Sequence, residues 1–210
     1  MNPIYIALLS LVIGFAIGYS VHSSYSSQNR GELMVSNAIQ KHFRSPNYHL
    51  LNHITLKRGD RTTQIDHILV SRYGVFVIES KNYKGWIFAN PKLETWTQVL
   101  FKAKFKFQNP IHQNHLHVVA VRELLDFLPQ EVIKSVVVFS GDAEFKTEMP
   151  SGVFSLPMLI DYLNSCTEEH LSLNRIQFSV GRIETARLQI SGKTDVEHVA
   201  MLRKRFGKTN

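Results

Sequence analysis

The stretch QIDHILVSRYGVFVIESK, from Gln64 to Lys81, decides how this chain is read. Two runs rich in Ile and Val flank Ser71-Arg72-Tyr73-Gly74, the composition of two strands joined by a tight turn. A turn centred on Arg72-Tyr73 pairs Val70 with Val75 and Ile68 with Val77, and sets Asp66 against Glu79. A turn centred on Tyr73-Gly74 moves the pairing by two and sets Asp66 against Lys81. Side chains alternate along a strand, so either register leaves Asp66, Glu79 and Lys81 on one face at one end of the hairpin. The opposite face carries Ile65, His67, Leu69, Phe76 and Ile78. Both faces are largely apolar, as in central strands covered on both sides. Ionised groups at the end of such strands cost desolvation energy unless they pair or bind a cation.

Two carboxylates, supplemented by a carbonyl and waters, suit Mg²⁺ or Mn²⁺, cations that take oxygen ligands without an all-protein cage. A lysine two residues beyond the second carboxylate reaches the same site, where it can orient or deprotonate a water while the metal stabilises charge on a phosphoryl oxygen. That is the chemistry of phosphodiester hydrolysis. A cross-strand ion-pair cluster at a sheet edge uses the same three residues, so taken alone they leave both readings open.

Working outward, Asn29 caps an expected helix from Arg30 to Phe43 in which Glu32, Val35, Ser36, Ile39 and Phe43 share a face. After Ser45-Pro46-Asn47 comes a strand over 48–55, which with strands over 61–70 and 74–81 makes a three-stranded meander. Residues 91–107 show no decisive periodicity. Asn109-Pro110 then opens a helix from Ile111 to Phe127 that Pro129 ends, and SVVVF (135–139) is a strand buried on both faces. A short strand is expected over 152–155. The remainder from about Leu156 reads as helical, its last helix capped at Thr194-Asp195 and ending in Arg203-Lys204-Arg205.

At the other end, Ile4 to Val21 is an uncharged apolar run long enough for a membrane span, with Tyr5 and Tyr19 near its ends. Only Met1-Asn2-Pro3 precedes it, without the positive charge of a secretory signal, and Arg30, Lys41 and Arg44 follow it. The expectation is a single-pass anchor with the remaining chain facing the cytoplasm; a cleaved signal is the competing reading. The layout is then an anchor over 1–22, a Ser-rich tether over 23–29, a domain over 30–147 and a mainly helical extension over 148–210.

Composition sets limits. With 210 residues and 44% hydrophobic content, the chain can fill one medium domain and an appendage. The single cysteine, Cys166, excludes an internal disulfide and a Cys-x-x-Cys zinc site. A net charge of +7, all of it from Arg30 onward, points to a polyanion or an anionic membrane surface as partner. Oligomeric state is not legible.

The stretch QIDHILVSRYGVFVIESKNYKGWI, preceded by Gly31-Glu32 and followed by Trp96, Asn109-Pro110 and Gln113, resembles the nuclease-related domain family, a branch of the PD-(D/E)xK nuclease superfamily. The resemblance runs from about Arg30 to Phe145 and includes SVVVFSGDAEF. It implies an α/β fold with the restriction-endonuclease-like α-β-β-β-α-β core and a mixed sheet. It further implies that Asp66 and Glu79 bind a divalent metal, that Lys81 completes the Glu-x-Lys, that Glu32 joins from the first helix, and that Gln113 contacts substrate or an active-site water. The expected function is a membrane-anchored, Mg²⁺- or Mn²⁺-dependent nuclease acting on DNA; a catalytically silent DNA-binding or scaffolding module is the alternative.

Other motifs carry less. Phe101-Lys102-Ala103-Lys104-Phe105-Lys106-Phe107 interleaves base with aromatic, which suits phosphate contact and base stacking but equally a half-buried strand. Lys84, Lys102, Lys104 and Lys106 are the candidate nucleic-acid contacts. His112, His115 and His117 lack the spacing of a zinc site and read as surface or groove histidines, and His67 reads as a satisfied core histidine.

Overall fold

The structure is a computed structural model that describes residues 30–188. The expected membrane span, the Ser-rich tether and the last basic helix lie outside the described residues. Within them, no helix is long and apolar enough to cross a membrane.

The chain enters through α1 (residues 30–42). The meander β1 (Tyr48–Arg58), β2 (Arg61–Ser71) and β3 (Gly74–Lys81) follows. Three further strands, β4 (Gly85–Phe88), β5 (Thr95–Leu100) and β6 (Ala103–Gln108), precede α2 (Pro110–Leu124). Then come β7 (Ile133–Phe139), β8 (Ala143–Phe145), β9 (Val153–Ser155), α3 (Leu156–Ser165) and α4 (Leu173–Ala186). The expected α-β-β-β-α-β order is present, with β4 to β6 inserted between β3 and α2.

A mixed sheet in the order β1-β2-β3-β7-β9 forms the centre, antiparallel through the meander and parallel from β3 to β9. The hairpin adopts the first of its two readable registers: Val70 pairs with Val75 and Ser71 with Gly74, leaving Arg72-Tyr73 as the turn. Gly74 holds φ +139°, and a Cβ there would lie 2.8 Å from the Val132 carbonyl oxygen, so the turn requires glycine.

Period-2 alternation sends β2 and β3 side chains into two cores. One face, with Ile68, Val70, Val75 and Val77, packs against Val118 and Val121 of α2 and Ile176 and Ile183 of α4. The other, with Leu69, Phe76 and Ile78, packs against Val35 and Ile39 of α1 and Leu159 and Leu163 of α3. Each of these fully buried aliphatic side chains contributes roughly 1.5–3 kcal/mol relative to exposure. The segment after residue 147 thus supplies an edge strand and a helix to each face.

The inserted strands and β8 form a second sheet, ordered β6-β5-β4-β8. Its inner face, through Ile87, Trp96 and Phe145, closes on Val137 and Phe139 of β7. Val137 and Phe139 are the β7 partners of Glu79 and Lys81, so the second sheet stands beside α2 on the face that carries those residues.

Candidate active site

The β2–β3 ladder stops at His67 and Ile78. One residue farther, the Asp66 carboxylate takes the place of a backbone partner: its Oδ2 accepts the Ser80 N–H at 2.8 Å and the Ser80 hydroxyl at 2.9 Å. The strands part at the polar end of the hairpin, and the gap holds the charged groups. On β3, Lys81 Nζ donates to Glu79 Oε1 at 2.6 Å. It also donates to Gln113 Oε1 at 3.1 Å, joining β3 to α2.

Local sequence explains why α2 delivers Gln113 there. Asn109 Oδ1 accepts the Ile111 N–H at 3.0 Å and caps the helix, while its Nδ2 donates to the Leu93 carbonyl at 2.7 Å. Pro110 fills the first helical position, where no N–H is needed. One step past Gln113, the buried Asn114 amide donates to the carbonyls of Val77 and Val136 at 2.9 and 3.0 Å, fastening α2 across β3 and β7. One turn on, His117 Nε2 lies 3.2 Å from Glu79 Oε2, and its Nδ1 lies 2.6 Å from Thr63 Oγ1 on β2. Gln113 and His117 are separated by i, i+4, so they share a helix face. Sequence reasoning placed His117 with surface or groove histidines; it is buried in this network, and its spacing from Gln113 was the available signal.

Burial sets the electrostatics. Desolvation, then the neighbouring Glu79 charge, pushes the Asp66 carboxyl up to about 6, against the opposing Ser80 bonds and Lys81. Burial also raises Glu79, but His117 and Lys81 outweigh it and hold Glu79 below the ordinary carboxylate range. For Lys81, burial disfavours the ammonium, and the Glu79 charge overcomes this and raises it. Lys81 is therefore an ammonium at neutral pH, fit to orient and to stabilise negative charge; the alternative that it deprotonates a water does not suit this environment.

Behind the hairpin, on the α1 face, Glu32 Oε2 lies 3.3 Å from His53 Nδ1. His53 has φ +52° and drops out of the β1–β2 ladder between the pairs Asn52–His67 and Ile54–Ile65, at the register position facing Asp66. Such a conformation is strained for a residue other than glycine and is characteristic of functional sites. No sequence signal announced it. Gly31 brings α1 to the same end of the sheet: a Cβ on it would lie 2.5 Å from Asn82 Cβ and 2.8 Å from Ser140 Oγ, just past Lys81 and its β7 partner Phe139. Glu32 thus enters beside the polar end of the hairpin, from the opposite face to α2. His67 is buried as expected, with Nδ1 bonded to Asn52 Oδ1 at 2.8 Å, but its Nε2 has no partner among the described residues. Burial, reinforced by His53, lowers it to about 4, so it is neutral.

Among the described residues no three His, Cys, Asp or Glu side chains form a metal-holding group. The donor set is two buried carboxylates. Both Ser80 bonds fall on Asp66 Oδ2, leaving Oδ1 for another partner, and each Glu79 oxygen has a second lone pair beyond its bond to Lys81 or His117. Hard anionic oxygens in this number fit a cation that completes its shell with water and phosphate oxygens, and do not fit a closed zinc site. His112, bonded to the Pro91 carbonyl at 3.1 Å, and exposed His115 lie apart from the network. Lys84, Lys102, Lys104 and Lys106 are all exposed, Lys84 between β3 and β4 and the others on the β5–β6 hairpin.

Comparison with known proteins supplies the family. The chain is 34% identical over 184 residues to an uncharacterized protein of Bacillus anthracis, covering 85% of this chain and 84% of that relative. No solved structure matches it. The nuclease-related domain pattern matches residues 27–140, from α1 through β7, the span that holds every member of the Asp66, Glu79, Lys81 and Gln113 network. By that match and the network it encloses, the chain belongs to the nuclease-related domain family, within the PD-(D/E)xK superfamily.

Proposed function

We propose that this protein is a membrane-anchored nuclease that hydrolyses phosphodiester bonds, with DNA as substrate, using Mg²⁺ or Mn²⁺ held by Asp66 and Glu79. The observation that carries the reading is the bridge from Glu79 through Lys81 to Gln113 beside Asp66, which gathers two carboxylates, an ammonium and an amide from three elements into one buried cluster. A structural ion pair needs neither the second carboxylate nor the helical glutamine.

When bound, the cation would supply Lewis-acid stabilisation of charge developing on the phosphoryl oxygen. Asp66 and Glu79 would provide its anionic ligands. Lys81, kept charged by Glu79, presents its remaining donor capacity to the phosphate or to the attacking water. Gln113 fixes the Lys81 ammonium from the helix side, and His117 with Thr63 holds the far oxygen of Glu79 so that the carboxylate keeps one orientation. The domain faces the cytoplasm, because Arg30, Lys41 and Arg44 follow the apolar span.

The test is incubation of the full chain, purified in detergent, with labelled linear, circular and single-stranded DNA in Mg²⁺, Mn²⁺ or EDTA. Cleavage with either metal and none in EDTA is expected. Binding without cleavage under every condition would replace this reading with a silent DNA-binding module.

A further inference from the structure

The second sheet buries one face against β7 and leaves the other largely exposed. Cross-strand register sets Glu144, Trp86, Val99 and Lys104 in one row and Phe88, Thr97 and Lys106 in the next, all on the outer face. Trp86 is 48% and Phe88 40% exposed. Two residues apart on one strand face, their side chains stand about 7 Å apart along the strand. Lys104 and Lys106 project from the edge strand β6 and carry no ion pair among the described residues. Lys146 Nζ lies 4.7 Å from the Trp86 ring centroid while bonding Glu144, so a base stacking on this ring takes the other ring face or displaces that ammonium.

Exposed aromatic planes bordered by ammonium groups match a polyphosphate chain whose bases are unpaired. The rings take base faces, and the lysines take phosphates. A duplex hides its base faces and could use only the lysines. We infer that the outer face of the second sheet binds single-stranded nucleic acid, with bases stacked on Trp86 and Phe88 and phosphates held by Lys104 and Lys106. This rests on the nuclease reading of the neighbouring site: Trp86 is five residues from Lys81, at most about 18 Å of extended chain, a distance that one strand of a few nucleotides can span.

The chain's two tryptophans make the experiment selective. Trp96 is 1% exposed, so quenching by an added base reports Trp86. The full chain in detergent micelles and EDTA is titrated with oligodeoxythymidylate, with an abasic oligomer of equal length, and with duplex DNA. Oligodeoxythymidylate should quench Trp86 and bind more tightly than the other two. Trp86→Ala and Phe88→Ala should each weaken binding about 5- to 150-fold, while Trp86→Phe, which keeps a ring, restores it. Joint Lys104→Ala and Lys106→Ala substitution should flatten the dependence of log affinity on log salt by about 1.4, at roughly 0.7 per phosphate on a single strand. Equal binding of abasic and base-bearing oligomers, or binding without quenching, overturns the inference. So does a Trp86 response to phosphatidylserine mixed into the micelles but not to oligodeoxythymidylate, which would make the face a membrane surface. Cleavage of single strands by Trp86→Ala with unchanged KM also overturns it while leaving the nuclease intact. Quenching without metal-dependent cleavage removes the nuclease and leaves the platform.

Discussion

Asp66→Asn should make the protein more stable and inactive. In the folded chain burial and Glu79 raise the Asp66 carboxyl from 3.8 to about 6. A carboxyl raised on folding contributes its stability in full below the unfolded value, and loses that contribution as pH rises through the folded value. The window is therefore about pH 4 to 6, and at ~1.4 kcal/mol for each tenfold change in acidity the loss above it is about 3 kcal/mol. Asparagine keeps the shape, retains an oxygen for the Ser80 N–H and never ionises. At pH 7.5 in EDTA the variant should be about 2–3 kcal/mol more stable, a Tm higher by about 4–12 °C for a chain of this length. Thermal unfolding followed by circular dichroism measures this directly. Two controls bind the result to the cause. Near pH 3, below the unfolded value, the difference should close, because the carboxyl is then mostly protonated in both states. At pH 7.5, Mg²⁺ at a hundred times its Kd should add about 2.7 kcal/mol to the parent and less to the variant, narrowing the gap. A variant less stable than the parent at pH 7.5, or a gap independent of pH, would refute the electrostatic account of the site.

Other expectations follow from single contacts. Gln113→Ala removes one acceptor of Lys81 and should lower turnover about tenfold with the fold intact; full activity would reduce Gln113 to a helix-surface residue. Gly31→Ala places a Cβ 2.5 Å from Asn82 Cβ and should cost about 1–3 kcal/mol, read as a lower Tm; an unchanged Tm would show that α1 does not approach the sheet so closely. A reporter active only in the cytoplasm, fused after Asn210, should function and remain in the membrane fraction; a shortened, exported product would contradict the anchor.

The hairpin was legible because one glycine and two periods specify it. Gly74 permits the turn, alternation fixes the faces, and the Asp66, Glu79 and Lys81 grouping holds in either register. The helix start at Asn109-Pro110 was legible from a cap and a first-position proline, but Gln113 itself came only from the family resemblance. What stayed hidden depends on tertiary contact. Residues 91–107 resisted assignment because β5 and β6 are short strands of a sheet with an exposed outer face; on the same face of β4, Trp86 and Phe88 point outward where a hydrophobic pattern would bury them. His53 could not be found, since its positive φ is imposed by its surroundings. His117 was missed because it was compared with His112 and His115 and not with Gln113, its neighbour on the helix face.

If Asp66 and Glu79 together hold the metal that promotes phosphodiester cleavage, neither can be removed without losing activity. The most direct measurement is the initial rate of DNA cleavage in Mg²⁺ by the full chain and by Asp66→Ala and Glu79→Ala, each matched by circular dichroism. Cleavage by the parent and none by either folded variant is expected. Full activity in folded Asp66→Ala would contradict it.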